Sequence, residues 1–229
     1  MMGDLMLQGG AEFKGRMAAS DSAAMARCGG KDAPVFIIPT AAVPDNNHQR
    51  AGGNGERWFR SLGATRVRVL DLIDPRAAND QALAAQLQPG SLIYLLGGFP
   101  GYLAQTLALS VVWAAMKAAV AQGAVLAGSS AGAMVLCDHF YDPAQKKIVA
   151  GLGLLPNMCV LPHHDTFGRR WATHLRPRLP QATLMGIDEE TGAIGNLQGN
   201  EWVVYGRGAV TLYRPDGEER FSDGMTFQL

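Results

Sequence analysis

The sequence predicts a three-layer α/β/α fold, a mostly parallel central sheet with helices on both faces. Two observations carry this. Short runs of β-branched and apolar residues end in glycine or proline, and helical runs separate them. Such strand–helix alternation builds a parallel sheet. Beyond about residue 183 the alternation gives way to short runs split by turn signals, which adds β-hairpins at the C-terminal end.

Taken in order, residues 5–7 form the first strand, halted by the turn QGG. VFII (35–38) stops at Pro39, which cannot donate to a sheet ladder. RVRVLDLI (66–73) alternates up to Asp74-Pro75, SLIYLL (91–96) runs into Gly97-Gly98, and AVLA (124–127) runs into Gly128. Helices are predicted over 15–27, 55–62, 79–87 and 101–121. The last carries apolar residues at 103, 107, 111, 115 and 119, a stripe that would cover one face of a sheet. TLMGI, AIGNL, EWVVYG and AVTLYR follow, separated by turns such as Gln198-Gly199-Asn200 and Pro215-Asp216-Gly217. With no repeat, low-complexity tract or linker, residues 1–229 read as a single domain.

The 229 residues suffice to bury a substantial core, and 48% hydrophobic against 17% charged residues fits a globular enzyme. Lys+Arg and Asp+Glu balance at 20 each, so no overall field attracts nucleic acid or an anionic membrane. Cys28, Cys137 and Cys159 are an odd number without metal-ligand spacing, so neither a disulfide framework nor a zinc site is expected. MMGDLMLQGG lacks the basic start and apolar stretch of a signal peptide, and the apolar runs are short for a bilayer span. A reducing cytoplasm is the expected setting.

The chemistry centres on VLAGSSAGAMVL (125–136). Gly128-Ser129-Ser130-Ala131-Gly132 fits G-x-S-x-G between an apolar strand and a helix start. A strand turning abruptly into a helix forces its central residue into a strained, exposed conformation, and flanking glycines remove the Cβ atoms that would clash. Ser130 is therefore the candidate nucleophile, with Ser129 turned inward. It would sit at the carboxyl end of a parallel strand, where open α/β sheets place their ligands.

A serine hydroxyl needs a base, and histidine is the usual one. His48 falls in a loop, His139 on the helix after the elbow, and His174 in a basic helical stretch. LPHHDTF offers His163 and His164 at the end of MCVL, and one of two consecutive residues must face the cleft. The orienting acid is left to Asp188, Glu189 or Glu190 in GIDEET, or to Asp138 or Asp142. No histidine follows His174, so the arrangement differs from an α/β-hydrolase.

LQGGAEF, LLGGFPGYL, GSSAGAMVL, GLGLLP followed by PHH, and GIDEETGAI together resemble the dipeptidase E / cyanophycinase family of serine peptidases. The resemblance spans most of residues 5–213. It implies a class I glutamine amidotransferase-like (flavodoxin-like) fold with Ser130, His163 and Glu189 as catalytic residues. It also implies an oxyanion hole from the Gly98 and Ala131 N–H groups, with Arg169, Arg170 and His164 near the substrate. The elbow holds serine where amidotransferases hold cysteine. Leu161-Pro162 replaces the Asp-Gln pair of cyanophycinases, which leans toward the dipeptidase branch. No metal or cofactor is implied, the substrate is a short peptide, and a homodimer is favoured. The rivals are a cyanophycinase-like hydrolase of β-aspartyl-arginine chains and a non-catalytic ligand-binding relative.

Overall fold

The computed structural model describes residues 3–196, 198 and 200–229. Parallel strands β1 (Asp4–Gln8), β5 (Val125–Ser129), β4 (Leu92–Leu95), β2 (Val35–Ile38) and β3 (Val67–Val69) lie side by side in that order. The antiparallel strands β10 (Thr191–Asn196), β11 (Glu201–Gly206) and β14 (Thr226–Gln228) extend the sheet beyond β1. This is the predicted mixed α/β architecture, with the central sheet mostly parallel.

Alternation along each strand divides the core between the two faces. Leu5, Leu7, Ile38, Ile93, Leu95 and Leu126 face helices α4 (Pro100–Leu107), α5 (Val111–Ala121) and α6 (Ala131–Val135). Met6, Ile37, Leu92, Tyr94 and Val125 face α1 (Met17–Arg27) and α2 (His48–Ser61). These strand residues are at most 1% exposed, worth about 1.5–3 kcal/mol for each large side chain.

A second sheet, in the order β13 (Gly217–Ser222), β12 (Ala209–Arg214), β9 (Thr183–Ile187), β8 (Met158–Leu161), stands beside the first. Its β8 and β9 are parallel, with Leu161 opposite Gly186, so both chains leave the sheet at the same end. Strands β6 (His139–Asp142) and β7 (Lys147–Ala150) form a separate hairpin, and α7 (Arg169–Leu175) follows β8.

Several expected elements differ. The run 101–121 is two helices bent by 88°, because Leu109 takes φ 59° and the Ser110 hydroxyl caps α5 by accepting the Trp113 N–H. No single helix among the described residues is long and apolar enough to cross a membrane. The 55–62 helix starts at His48, so that histidine opens a helix rather than lying in a loop. Glycines inside α2 oppose helix formation, yet they permit close packing: a Cβ on Gly52 would lie 2.6 Å from Val69 Cγ1.

The 79–87 run breaks into a 3-10 turn over Ala77–Asn79 and α3 (Gln81–Ala84), with Asp80 as the extended cap between them. The 66–73 strand pairs only over three residues, since its neighbour β2 ends at Pro39. His139 lies on β6, past the end of the short α6, and so does not ride on the elbow helix. Cys137, expected on that helix, is buried just beyond it. The AIGNL run reaches residue 197 and the predicted turn includes 199, both outside the described residues, as are residues 1 and 2.

Candidate active site

β1 forms the spine of the site. Its register sets Gln8 opposite Ser129 in β5, so the two strands end together. Past that point the Gln8 carbonyl accepts the Ser130 N–H at 2.9 Å, and the Gly9 carbonyl accepts the His163 N–H at 2.7 Å. One short segment thereby aligns residues from both sheets. The next residue, Gly10 at φ 133°, leaves room for the imidazole: a Cβ there would lie 2.2 Å from His163 Cε1.

Ser130 caps α6 with φ 48° and ψ −110°, a sparsely populated conformation that stores about 1–3 kcal/mol of strain. Close packing enforces it. A Cβ on Gly132 would lie 2.3 Å from the Leu95 carbonyl oxygen, so a larger residue would push the elbow off β4. Ser129 is fully buried, with its hydroxyl beside the Glu12 carboxyl.

Ser130 Oγ lies 3.0 Å from His163 Nε2, and His163 Nδ1 lies 2.9 Å from Glu189 Oε1. The parallel β8–β9 register explains the second contact, because His163 and Glu189 each follow their strand by two residues. Phe167 stacks on the imidazole with centroids 4.9 Å apart. Asp165 Oδ1 accepts the Glu189 N–H at 2.9 Å, tying the acid's backbone to the loop that carries the base.

The other candidate acids are engaged elsewhere. Glu190 accepts the Arg16 N–H at 3.1 Å and faces Arg207 at 3.6 Å. Asp138 accepts the Asn157 N–H, and Asp142 accepts N–H groups of its own turn. Asp188 accepts the Ala209 N–H and pairs with His164 and Arg220. Burial raises the pKa of Asp188, but these three partners outweigh it and hold the carboxyl below its ordinary range.

His164, expected near the substrate, points into the second sheet instead. It is 2% exposed, with Nδ1 on Asp188 and Nε2 on the Tyr213 hydroxyl. Adjacent residues on a turning chain face opposite ways, which puts His163 in the cleft and His164 in the core. Arg169 and Arg170 are exposed where α7 begins, and Arg169 lies by the Tyr213 hydroxyl. The buried Nδ1 atoms of His48 and His139 have no hydrogen-bond partner among the described residues, and His174 stacks edge-on against Tyr141. None of these three joins the Ser130 cluster.

Among the described residues the Gly98 N–H has no hydrogen-bond partner, and the Ala131 N–H belongs to the unpaired first turn of α6. Both lie beside the elbow, since a Cβ on Gly97 would be 3.3 Å from Ser130 Cβ. Among the described residues no cluster of three or more histidine, cysteine or acidic side chains could hold a metal ion.

Two groups escaped the reading of single motifs. Gln8-Gly9-Gly10 serves as the alignment spine, and Glu12 accepts the Gly97 N–H at 2.5 Å. The only signal for either was their place in LQGGAEF, since neither the carbonyl of a strand end nor a loop glutamate has a pattern of its own.

Fold and site define a class: mixed α/β proteins with a mostly parallel central sheet that present a serine at the strand-to-helix elbow, in contact with a histidine and an acid. The chain belongs to peptidase family S51, whose profile matches residues 5–196. It is 30% identical over 206 residues to a cyanophycinase of Trichormus variabilis, a match covering 82% of this chain and 66% of that protein. It is also 30% identical over 226 residues to a cyanophycinase of Synechococcus elongatus, covering 93% and 68%. The chain thus spans about two thirds of the length of these curated relatives.

Among solved structures, a peptidase from an acI-B1 Actinobacterium superposes with a TM-score of 0.86 at 26% identity. That match covers 100% of this chain and 98% of the other. A Listeria monocytogenes protein assigned as peptidase E superposes with a TM-score of 0.62 over 90% of this chain and 100% of the other. At 17% identity the latter speaks for the fold alone.

Proposed function

We propose that this chain is a serine peptidase that hydrolyses short peptides by an acyl-enzyme route, in the manner of dipeptidase E exopeptidases acting on aspartyl peptides. The single observation that carries the reading is the continuous contact from Ser130 Oγ through His163 to Glu189, at 3.0 and 2.9 Å, on a strained elbow. Peptidase family membership supports it.

In this scheme Glu189 accepts a hydrogen bond from His163 Nδ1–H, which leaves Nε2 unprotonated toward Ser130. His163 Nε2 takes the Ser130 proton as Oγ attacks the scissile carbonyl. Negative charge gathers on the carbonyl oxygen and is met by the Gly98 and Ala131 N–H groups, each worth about 3–4 kcal/mol. His163 then protonates the leaving amine, and the C–N bond breaks. Water, deprotonated by the same imidazole, attacks the ester, and Ser130 leaves with its proton restored. Arg169, exposed six residues after His163, is the group suited to pair with an acidic substrate side chain.

A second reading, hydrolysis of β-aspartyl-arginine chains, is favoured by the relatives named as cyanophycinases. Parallel assays on Asp-X dipeptides and on cyanophycin separate the two. Ser130→Ala should abolish turnover with folding intact, and unaltered hydrolysis by that variant would sink both. A non-catalytic relative would leave Ser130 unlabelled by a fluorophosphonate, whereas the peptidase reading expects labelling that requires His163.

A further inference from the structure

Glu12 has no part in the scheme above, yet it sits against the elbow. Its Oε1 accepts the Gly97 N–H at 2.5 Å. A Cβ built on Gly97 would lie 2.6 Å from that same oxygen and 3.3 Å from Ser130 Cβ, so the carboxyl and the serine flank one glycine. The next residue, Gly98, takes φ 138° and its N–H has no partner among the described residues, while the Phe99 N–H is held by the Ala41 carbonyl at 2.8 Å. The Gly97–Gly98 peptide is therefore anchored on one side by Glu12 and on the other by Ala41.

We propose that Glu12 is a positioning residue of this site, pinning the Gly97 N–H so that the Gly98 N–H is left facing the oxygen of the carbonyl attacked by Ser130. The inference rests on the peptidase reading and assigns the loop's geometry to a side chain from the far end of the sequence.

Its charge state gives the idea a readout. Burial pushes the Glu12 pKa up to about 7, against the Gly97 N–H and the Ser129 hydroxyl, which lower it, and with Asp21 adding to the rise. The groups around it are Asp21 and Tyr94 in the core below, and Lys14 and Arg57 on the cleft of about 410 Å³ that Glu12 lines. His163 lies across Gly10 on the other side of the β1 turn. Below pH 7 the uncharged acid pins the loop. Above it the carboxylate still accepts the N–H but places a negative charge beside the oxygen that must become negative. For unit charges about 6 Å apart at an effective dielectric near 20, that repulsion corresponds to about 100-fold.

The experiment measures the second-order rate at which a fluorophosphonate labels Ser130 between pH 5.5 and 9.5, for the parent chain, Glu12→Gln, Glu12→Ala and Asp21→Asn. Thermal unfolding of each variant runs alongside. The parent rate should fall by about 100-fold on the alkaline side. Glu12→Gln keeps an acceptor for Gly97 but cannot ionise, so its ratio of rates at pH 9 and pH 6.5 should lose that fall. Glu12→Ala removes both the pin and the charge, so it should lose the alkaline fall and at pH 6.5 be slower than the parent by about 10- to 100-fold, up to the size of a lost oxyanion donor.

Asp21→Asn should retain the alkaline fall and move it to lower pH, because Glu12 ionises more readily without the neighbouring charge. A fall retained in Glu12→Gln, or one abolished by Asp21→Asn alone, overturns the inference. So does a Glu12→Ala rate at pH 6.5 equal to the parent's. If the parent chain is not labelled at all, the peptidase reading fails and takes this inference with it. Should Glu12→Ala not fold, the Glu12→Gln profile decides.

Discussion

Replacing Glu189 by glutamine tests the relay at its outer end. The amide can turn its Nε2 toward His163 Nδ1, which then must accept rather than donate. That shifts the imidazole proton to Nε2, the nitrogen 3.0 Å from Ser130 Oγ, and removes the lone pair that would take the serine proton. In a serine triad with a buried aspartate, the equivalent change lowers kcat about 10⁴-fold. Here the acid is less enclosed, since the Glu189 side chain is 37% exposed and that of His163 21%.

Two unit charges about 4 Å apart attract by roughly 1 kcal/mol in water and 4 kcal/mol at an effective dielectric near 20. An intermediate value of about 2 kcal/mol is about 30-fold in rate. With the tautomer penalty added, the expected loss is about 10²- to 10³-fold, and not the full 10⁴. The assay is fluorophosphonate labelling of Ser130 together with kcat/KM on an Asp-X dipeptide. Thermal unfolding is monitored to show that the fold survives. A loss below fivefold would refute the reasoning, because the acid would then neither fix the tautomer nor stabilise the imidazolium.

Gly10→Ala puts a methyl group where only 2.2 Å separates it from His163 Cε1, so the base must move. Labelling of Ser130 should slow by at least about 10²-fold, the cost of a misplacement near 1 Å; a rate equal to the parent's would show that the ring has slack. Stability should also depend on pH through two buried acids. Burial lifts Asp21 from its ordinary 3.8 to about 7, despite the bonds from Trp58 and Gln8, and lifts Glu12 from 4.5 to about 7. The folded chain therefore keeps protons that the unfolded chain has released, and stability falls as pH rises from 5 to 8. Over that range the fall is about 2–3 kcal/mol for Asp21, whose unfolded carboxyl is already ionised at pH 5, and less for the partly exposed Glu12. Urea midpoints measured at pH 5 and pH 8 test the sign, and a higher midpoint at pH 8 would contradict it.

Strand positions were legible because the parallel strands are buried on both faces, and VFII, LIYL and AVLA read as unbroken apolar runs. Ser130 was legible because strand, glycine and helix start compress the elbow into five residues. The broken helices were less so. Leu109 is fully exposed between two buried segments, and the stripe through 103, 107 and 111 passes over that corner without a gap. Glycines 52, 53 and 55 argued against a helix that the packing of α2 on β3 and Phe13 then selected.

The sequence by itself determined the alternating α/β order, the elbow serine, and a short set of histidines and acids from which partners could come. It could not choose among Asp188, Glu189 and Glu190, which are consecutive. That choice depends on which way each side chain leaves a turn. The tertiary structure decided it by joining two sheets: β1 carbonyls hold both Ser130 and His163, and the β8–β9 register brings Glu189 to the imidazole. The physical reason is distance along the chain. Local runs encode strands and turns through nearby residues, whereas this contact spans residues 8 to 189 and exists only once backbone hydrogen bonds have fixed the register between strands.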